Sequence, residues 1–228
     1  MRLRRAMKHK IKYFGTEEEL WNRLAETGAP DGTFTVRSYA LDNTVEFNAS
    51  EREYLEVCDA LGEGVYSEDN SSLGKVLVDF LEENNLVLAT AESCTGGLVA
   101  SRIVDVAGAS KVFYEGVVTY SNEAKTERLS VDEETLINYG AVSEQTAKEM
   151  AYGLLGENVD IAVSTTGIAG PDGGTEDKPV GLVYIGIAFQ AREPIAIKRI
   201  YKGTRNEIRR SAANEAVYRT YKYLTDTL

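Results

Sequence analysis

The run LVLATA, residues 86–91, limits what this chain can fold into more than any other stretch. It is apolar at every position but Thr90, where a half-exposed strand would alternate, so it reads as a strand buried on both faces. Such a strand needs a layer on either side, and its flanks supply them. Before it, SLGKVLVDFLEENN carries Leu73, Val76, Leu77, Phe80 and Leu81 on one helical stripe; after it, GGLVASRIVDVAG reads as a helix stopped by Gly108. The alternation continues with strand EGVVTYS, helix start NEAKTERL, helix SEQTAKEMAYGLLG between Ser143 and Gly156, and strand DIAVSTTG. A glycine-rich loop follows, then the strand runs GLVYIGIAF and PIAIKRIYKG and a long terminal helix from Thr204. Strands separated by helices, with two adjacent strands late in the chain, predict a three-layer α/β/α sheet of mixed direction.

The first 70 residues read as a smaller α/β unit of order β-α-β-β-α. IKYF is its first strand, and TEEELWNRLAET a helix with Thr16 and Glu19 in capping-box spacing. TFTVRSYAL and TVEF form two strands turned at Asp42 and Asn43, and SEREYLEVCDALGEG a helix opened by Ser50 and Glu53. The polar, acidic stretch YSEDNSS, residues 66–72, reads as a linker and sets domains at 1–70 and 71–228. Arg2, Arg4, Arg5, Lys8, Lys10 and Lys12, with the single histidine His9, read as a solvated basic tail; no apolar segment follows to make it a secretory signal.

Composition narrows the function classes. Forty-three percent hydrophobic residues in 228 support a sizeable core, and no apolar run approaches the ~20 residues that cross a bilayer. A formal charge of −11 argues against nucleic acid as a partner, because neutralising phosphate supplies most of that affinity. Cys58 and Cys94 provide neither a disulfide framework nor metal-ligand spacing, so a cytoplasmic protein with no metal and no cofactor is expected.

Chemistry is expected where TAESCTGG leaves the buried strand, because open α/β sheets bind ligands at the carboxyl ends of their strands. Ser93 is a candidate nucleophile, or a helix cap with Thr95. The following helix N-terminus suits an anion or a developing oxyanion, and Gly96 and Gly97 allow close backbone approach. With His9 in the tail, the remaining bases are Tyr120 and Lys125 in VVTYSNEAK. Lys125 falls in the first turn of a helix, where the macrodipole disfavours an ammonium and favours the neutral amine that a base requires. Glu92 either balances that lysine or caps a helix. Cys94 is a competing nucleophile, or a small buried residue. The loop at residues 167–174, after Thr165 and Thr166, offers a weak anion nest, and Arg205 at the start of the last helix suits a phosphate or carboxylate.

Five motifs in order, AESCTGG, EGVVTYSNEAK, GAVS, TTGIAGPDGGTEDKPVG and YKGTRNEIRRSAANEA, resemble the CinA C-terminal domain family, that of nicotinamide-nucleotide amidases, over residues 72–228. YFG and LGEGVYSEDN in the front part resemble the small KH-like connecting domain of longer CinA proteins. Those proteins also carry a molybdopterin-binding-like domain with pyrophosphatase activity, which is not expected here. The resemblance implies hydrolysis of nicotinamide mononucleotide, a pyridine mononucleotide, to nicotinic acid mononucleotide and ammonia. It implies Ser93 as nucleophile, Tyr120 and Lys125 as the proton-transfer pair, and Arg205 as anchor for a charged group. Thr166 and Gly167 would lie in the substrate pocket beside Glu92, Thr95, Gly96 and Gly97. TGAPDG lacks a basic GxxG loop, so the small domain is expected to act as a spacer or oligomerisation element, and the protein as a homo-oligomer, in first instance a dimer. A nucleotide-binding or regulatory module without turnover is the alternative.

Overall fold

Residues 7–13 alternate Met7, His9, Ile11 and Tyr13 with Lys8, Lys10 and Lys12, the period-two pattern of a strand with one wet face. In the computed structural model, which describes residues 6–228, they and Phe14 form β1 (Met7–Phe14). It is an inner strand of an antiparallel sheet ordered β2-β3-β1-β4, with β2 at Thr35–Tyr39, β3 at Asp42–Ala49 and β4 at Val65–Ser67. The lysines assigned to a solvated tail therefore belong to the sheet. Lys8 and Lys10 pair with Glu46 at 2.8 and 3.0 Å, and Lys12 with Asp42 at 3.0 Å. His9 stacks on Tyr54 with ring centroids 4.4 Å apart. Arg2, Arg4 and Arg5 lie outside the described residues.

The β2–β3 hairpin turns at Ala40 and Leu41, both at positive φ, rather than at Asp42 and Asn43. Asn43 instead points inward, its Nδ2 donating to the carbonyls of Tyr13 (3.2 Å) and Gly15 (2.8 Å). Helices α1 (Glu17–Glu26) and α2 (Glu51–Leu61) open with capping boxes at Thr16/Glu19 and Ser50/Glu53. Their apolar faces pack Leu20, Leu24, Val57 and Leu61 with Ile11 and Val45 of the sheet. Tyr66 and Ser67, read as linker, are buried in β4, and Tyr66 Oη donates to Asp42 at 2.6 Å. The chain divides into two compact units between Val76 and Leu77, inside helix α3 (Leu73–Glu83).

The second unit holds a five-stranded sheet of order β6-β5-β7-β8-β9. β5 (Leu88–Glu92), the LVLATA strand, is buried at every position and runs parallel to β6 (Phe113–Val118) and β7 (Ile161–Gly167). β7, β8 (Leu182–Phe189) and β9 (Ile195–Ile200) are antiparallel. Helices α4 (Leu98–Val104) and α8 (Arg205–Thr227) pack together against this sheet. The other layer is α7 (Glu144–Tyr152), with α5 (Asn122–Leu129) and α6 (Glu133–Tyr139) against it. Gly186 lets α7 sit directly on β8, since a Cβ there would lie 2.2 Å from the Ala147 carbonyl. The predicted mixed three-layer architecture is the observed one. The short helix α6, one that periodicity does not single out, joins it.

Candidate active site

Parallel pairing sets Glu92 of β5 beside Val118 of β6 and Thr165 of β7. Their carboxyl ends therefore deliver the next residues, Ser93, Thr119 and Thr166, to one edge of the sheet. Two hydrogen bonds fix the strand exits: Ser93 N donates to Thr165 O and Thr119 N to Glu92 O, each at 2.9 Å.

Lys125 lies in the first turn of α5, capped by Ser121, and its side chain folds back over the β6–α5 connection. It is only 1% exposed, and Nζ lies 3.3 Å from Ser93 Oγ. Nζ also lies 2.9 Å from the Thr119 carbonyl and 3.3 Å from that of Tyr120. Burial pushes this amine below the ordinary lysine range, because leaving water costs the charged form more than the neutral one. The Ser121 carbonyl is a further neighbour at 3.5 Å; in its neutral form the amine can give its two hydrogens to two of these carbonyls and turn its lone pair to the Ser93 hydroxyl. The neighbouring Cys94 is buried, and burial pushes its thiol up to about 12. It is thus held as a thiol, which disfavours it as the nucleophile.

Glu92 takes the helix-capping role of the two its position allowed. Its Oε2 accepts from Thr95 Oγ1 (2.6 Å), Gly97 N (2.9 Å) and Val99 N (3.1 Å), and Oε1 accepts from Ala100 N at 2.8 Å. The N-terminus of α4, which suggested an anion site, is therefore already filled by a carboxylate of the chain itself. Thr95 is fully buried, its hydroxyl within 2.6 Å of Thr165 Oγ1 as well. Both side chains are thus engaged in hydrogen bonds that hold the β5–α4 turn. Gly96 and Gly97 both occupy positive φ, which turns the backbone sharply between β5 and α4.

Tyr120 is 63% exposed, and its hydroxyl accepts from Arg205 Nη2 at 3.2 Å rather than bonding Ser93 or Lys125. Arg205, the first residue of α8, donates through Nη1 to the Gly170 carbonyl at 2.7 Å. One guanidinium thus joins the glycine-rich loop to Tyr120. Thr166 is buried and donates to the Ala141 carbonyl at 2.6 Å, which brings the GAVS segment to the end of β7. Gly167 passes so close to β8 that a Cβ would lie 2.6 Å from the Leu182 carbonyl.

One residue at this site went unassigned in the sequence. Arg209 sends Nε to the Cys94 carbonyl (3.0 Å) and Nη2 to the Thr95 carbonyl (2.8 Å), gripping the turn that carries Ser93. A signal for it exists, since Arg205 and Arg209 are four apart and share one face of α8. Among the described residues no three His, Cys, Asp or Glu side chains are placed to hold a metal ion, and no helix is long and apolar enough to cross a membrane.

The sequence model of the CinA C-terminal domain matches residues 70–224. A "CinA-like protein" of Kosmotoga olearia is 52% identical over 160 residues, 69% of this chain and 38% of its own length. Another, from Fusobacterium nucleatum, is 50% identical over 167 residues, 72% of this chain and 40% of its own. The chain thus spans about two fifths of the curated relatives it matches. Among solved structures, the competence/damage inducible protein CihA from Agrobacterium tumefaciens superposes with a TM-score of 0.64 at 40% identity, covering 66% of this chain and 92% of that one. The competence damage-inducible protein A of Klebsiella pneumoniae does so with a TM-score of 0.65 at 31% identity, covering 69% of this chain and 100% of that one. By sequence and by fold, the chain belongs to the CinA C-terminal domain family.

Proposed function

We propose that the second unit is an amidohydrolase that converts nicotinamide mononucleotide to nicotinic acid mononucleotide and ammonia through an ester on Ser93. The observation that carries this reading is the buried Lys125 amine, 3.3 Å from Ser93 Oγ. A binding module has no need to bury an amine against a hydroxyl, whereas a serine nucleophile without histidine needs such a base. Neutral Lys125 takes the Ser93 proton as Oγ bonds to the carboxamide carbon. The turn amides after Ser93 stabilise the oxyanion. The Lys125 ammonium then returns its proton to the departing nitrogen as the C–N bond breaks and ammonia leaves. Water adds to the ester, giving a proton to Lys125, and collapse of that adduct frees the acid and restores the Ser93 hydroxyl.

With its hydroxyl on Arg205, Tyr120 stands outside the direct proton path, so we assign it with Arg205 to the rim that holds the charged part of the substrate. The small-molecule site needs no metal for these steps. Two cysteines without a disulfide suit a cytoplasmic protein. We place the domain boundary between residues 70 and 71, after β4 and before α3, and assign the first unit to spacing or self-association. The test is to incubate the pure chain with nicotinamide mononucleotide and follow ammonia. Ser93→Ala and Lys125→Ala should each abolish release with unchanged circular dichroism, and undiminished turnover in Ser93→Ala would eliminate the ester route. Ligand-induced thermal stabilisation of the unsubstituted protein without product would instead favour a binding module.

A further inference from the structure

Arg209 grips the nucleophile turn from the side of α8. Its Nε and Nη2 donate to the carbonyls of Cys94 and Thr95 at 3.0 and 2.8 Å, and Nη1 lies 3.4 Å from Asn206 Oδ1. Those carbonyls belong to two consecutive peptide units, Cys94–Thr95 and Thr95–Gly96. In a trans peptide the C=O and N–H point in opposite directions, so holding both oxygens also sets where the amides of Thr95 and Gly96 point: away from the guanidinium. The Thr95 hydroxyl anchors its side chain to Glu92 Oε2 and Thr165 Oγ1, at 2.6 Å each, but bonds neither peptide unit directly. Gly96 sits at φ +61 and Gly97 at φ +93, and a Cβ on Gly96 would come within 3.2 Å of Arg209 Nη2, so the guanidinium lies directly against the glycine. Glu92 holds the far side of the turn by accepting from Gly97, Val99 and Ala100 but reaches neither of those two amides. A cation on the carbonyl oxygens also polarises the peptide units and strengthens their N–H groups as donors.

We propose that Arg209 is a positioning residue for acyl transfer: its bidentate grip orients the peptide units after Ser93, and with them the amides that meet the developing oxyanion. This rests on the Ser93 amidase reading for its chemistry but on the geometry of the turn alone for its structural part. The guanidinium itself touches carbonyl oxygens of the chain, so its effect on substrate is indirect.

The test compares Arg209→Ala and Arg209→Lys with the unsubstituted full chain in ammonia release from nicotinamide mononucleotide, with and without added methylguanidinium. The expected result in Arg209→Ala is a fall in kcat of about 10²–10³-fold with KM unchanged, the size and pattern of losing an oxyanion donor. Methylguanidinium should restore part of that rate, and methylammonium at equal concentration should not. Arg209→Lys, which cannot span both carbonyls, should stay low, and it serves if the alanine variant does not fold. A kcat close to that of the unsubstituted protein in either variant would overturn the proposal, as would a loss confined to KM. The amide resonances of Thr95 and Gly96 should shift in both variants, a readout that requires no turnover. Unmoved resonances refute the clamp even if the unsubstituted protein is an amidase. Shifted resonances in a chain that releases no ammonia would uphold the clamp and sink only the amidase reading.

Discussion

Glu92→Gln separates the two roles this carboxylate could have had, as a helix cap or as a contact to ligand. The side chain is 1% exposed, and its two oxygens accept from Thr95 Oγ1, Gly97 N, Val99 N and Ala100 N at 2.6–3.1 Å. Glutamine keeps the shape but has a single acceptor atom. Its oxygen can replace Oε2, which serves three donors, but its NH₂ then meets the Ala100 N–H donor to donor. Stranding that N–H costs about 1–3 kcal/mol, and removing the negative charge from the α4 N-terminus about 0.3–2 kcal/mol. A loss of about 1–5 kcal/mol follows, a sizeable share of the ~5–15 kcal/mol that holds a typical domain together. Trp21, the only tryptophan, lies in the first unit, so its fluorescence does not follow α4. Urea unfolding by far-UV circular dichroism should be combined with hydrogen exchange at Gly97, Val99 and Ala100, which should lose protection selectively. Glu82→Gln, at an exposed ion pair with Lys111, is the control, with an expected cost of ~0–1 kcal/mol. A Glu92→Gln cost below ~0.5 kcal/mol, the range of ordinary surface substitutions, together with a raised KM, would refute the capping argument and return Glu92 to the substrate.

Three further outcomes follow from the same geometry. Lys125 accepts a proton only when neutral, and burial lowers its pKa, so kcat/KM for ammonia release should rise with pH along a limb centred below ~10.4, the unperturbed lysine value. The unfolded chain holds that proton to higher pH, so urea midpoints should gain a contribution that grows with pH between the folded and unfolded pKa values; a limb at or above the unperturbed value would contradict this. Gly167→Ala must place a methyl 2.6 Å from Leu182 O and 2.8 Å from Val183 Cα, and should cost about 1–3 kcal/mol in urea unfolding as overpacking between β7 and β8. Cys94, buried with its thiol pushed up to about 12, should resist alkylation in the native protein at mildly alkaline pH and react once unfolded, as mass spectrometry of the two cysteines can show.

Where the sequence was legible, the physics acts over a few residues. Thr16 with Glu19 and Ser50 with Glu53 form the capping boxes their spacing announces, since both partners lie within one turn of helix. The buried character of β5 needed only a run of apolar side chains. The charged alternation of β1 misled, because lysines on the wet face of a strand read like a soluble tail until Glu46 and Asp42, more than 25 residues on in the chain, are seen opposite them. The Ala40–Leu41 turn was hidden for a related reason: Asn43, the better turn former, is drawn inward by the carbonyls of Tyr13 and Gly15.

The amino-acid order by itself determined that a strand buried on both faces leads into a serine-bearing turn, and that a lysine stands in the first turn of a later helix. Only the tertiary structure decided that these two meet, because parallel pairing of β5 with β6 aligns their exits, and burial of the amine depends on what surrounds it. It also decided what Glu92, Tyr120 and Arg209 touch. A side chain of several rotatable bonds can reach many partners, and which one it finds depends on elements that sequence distance does not relate: α4 for Glu92, α8 for Tyr120, and the β5–α4 turn for Arg209.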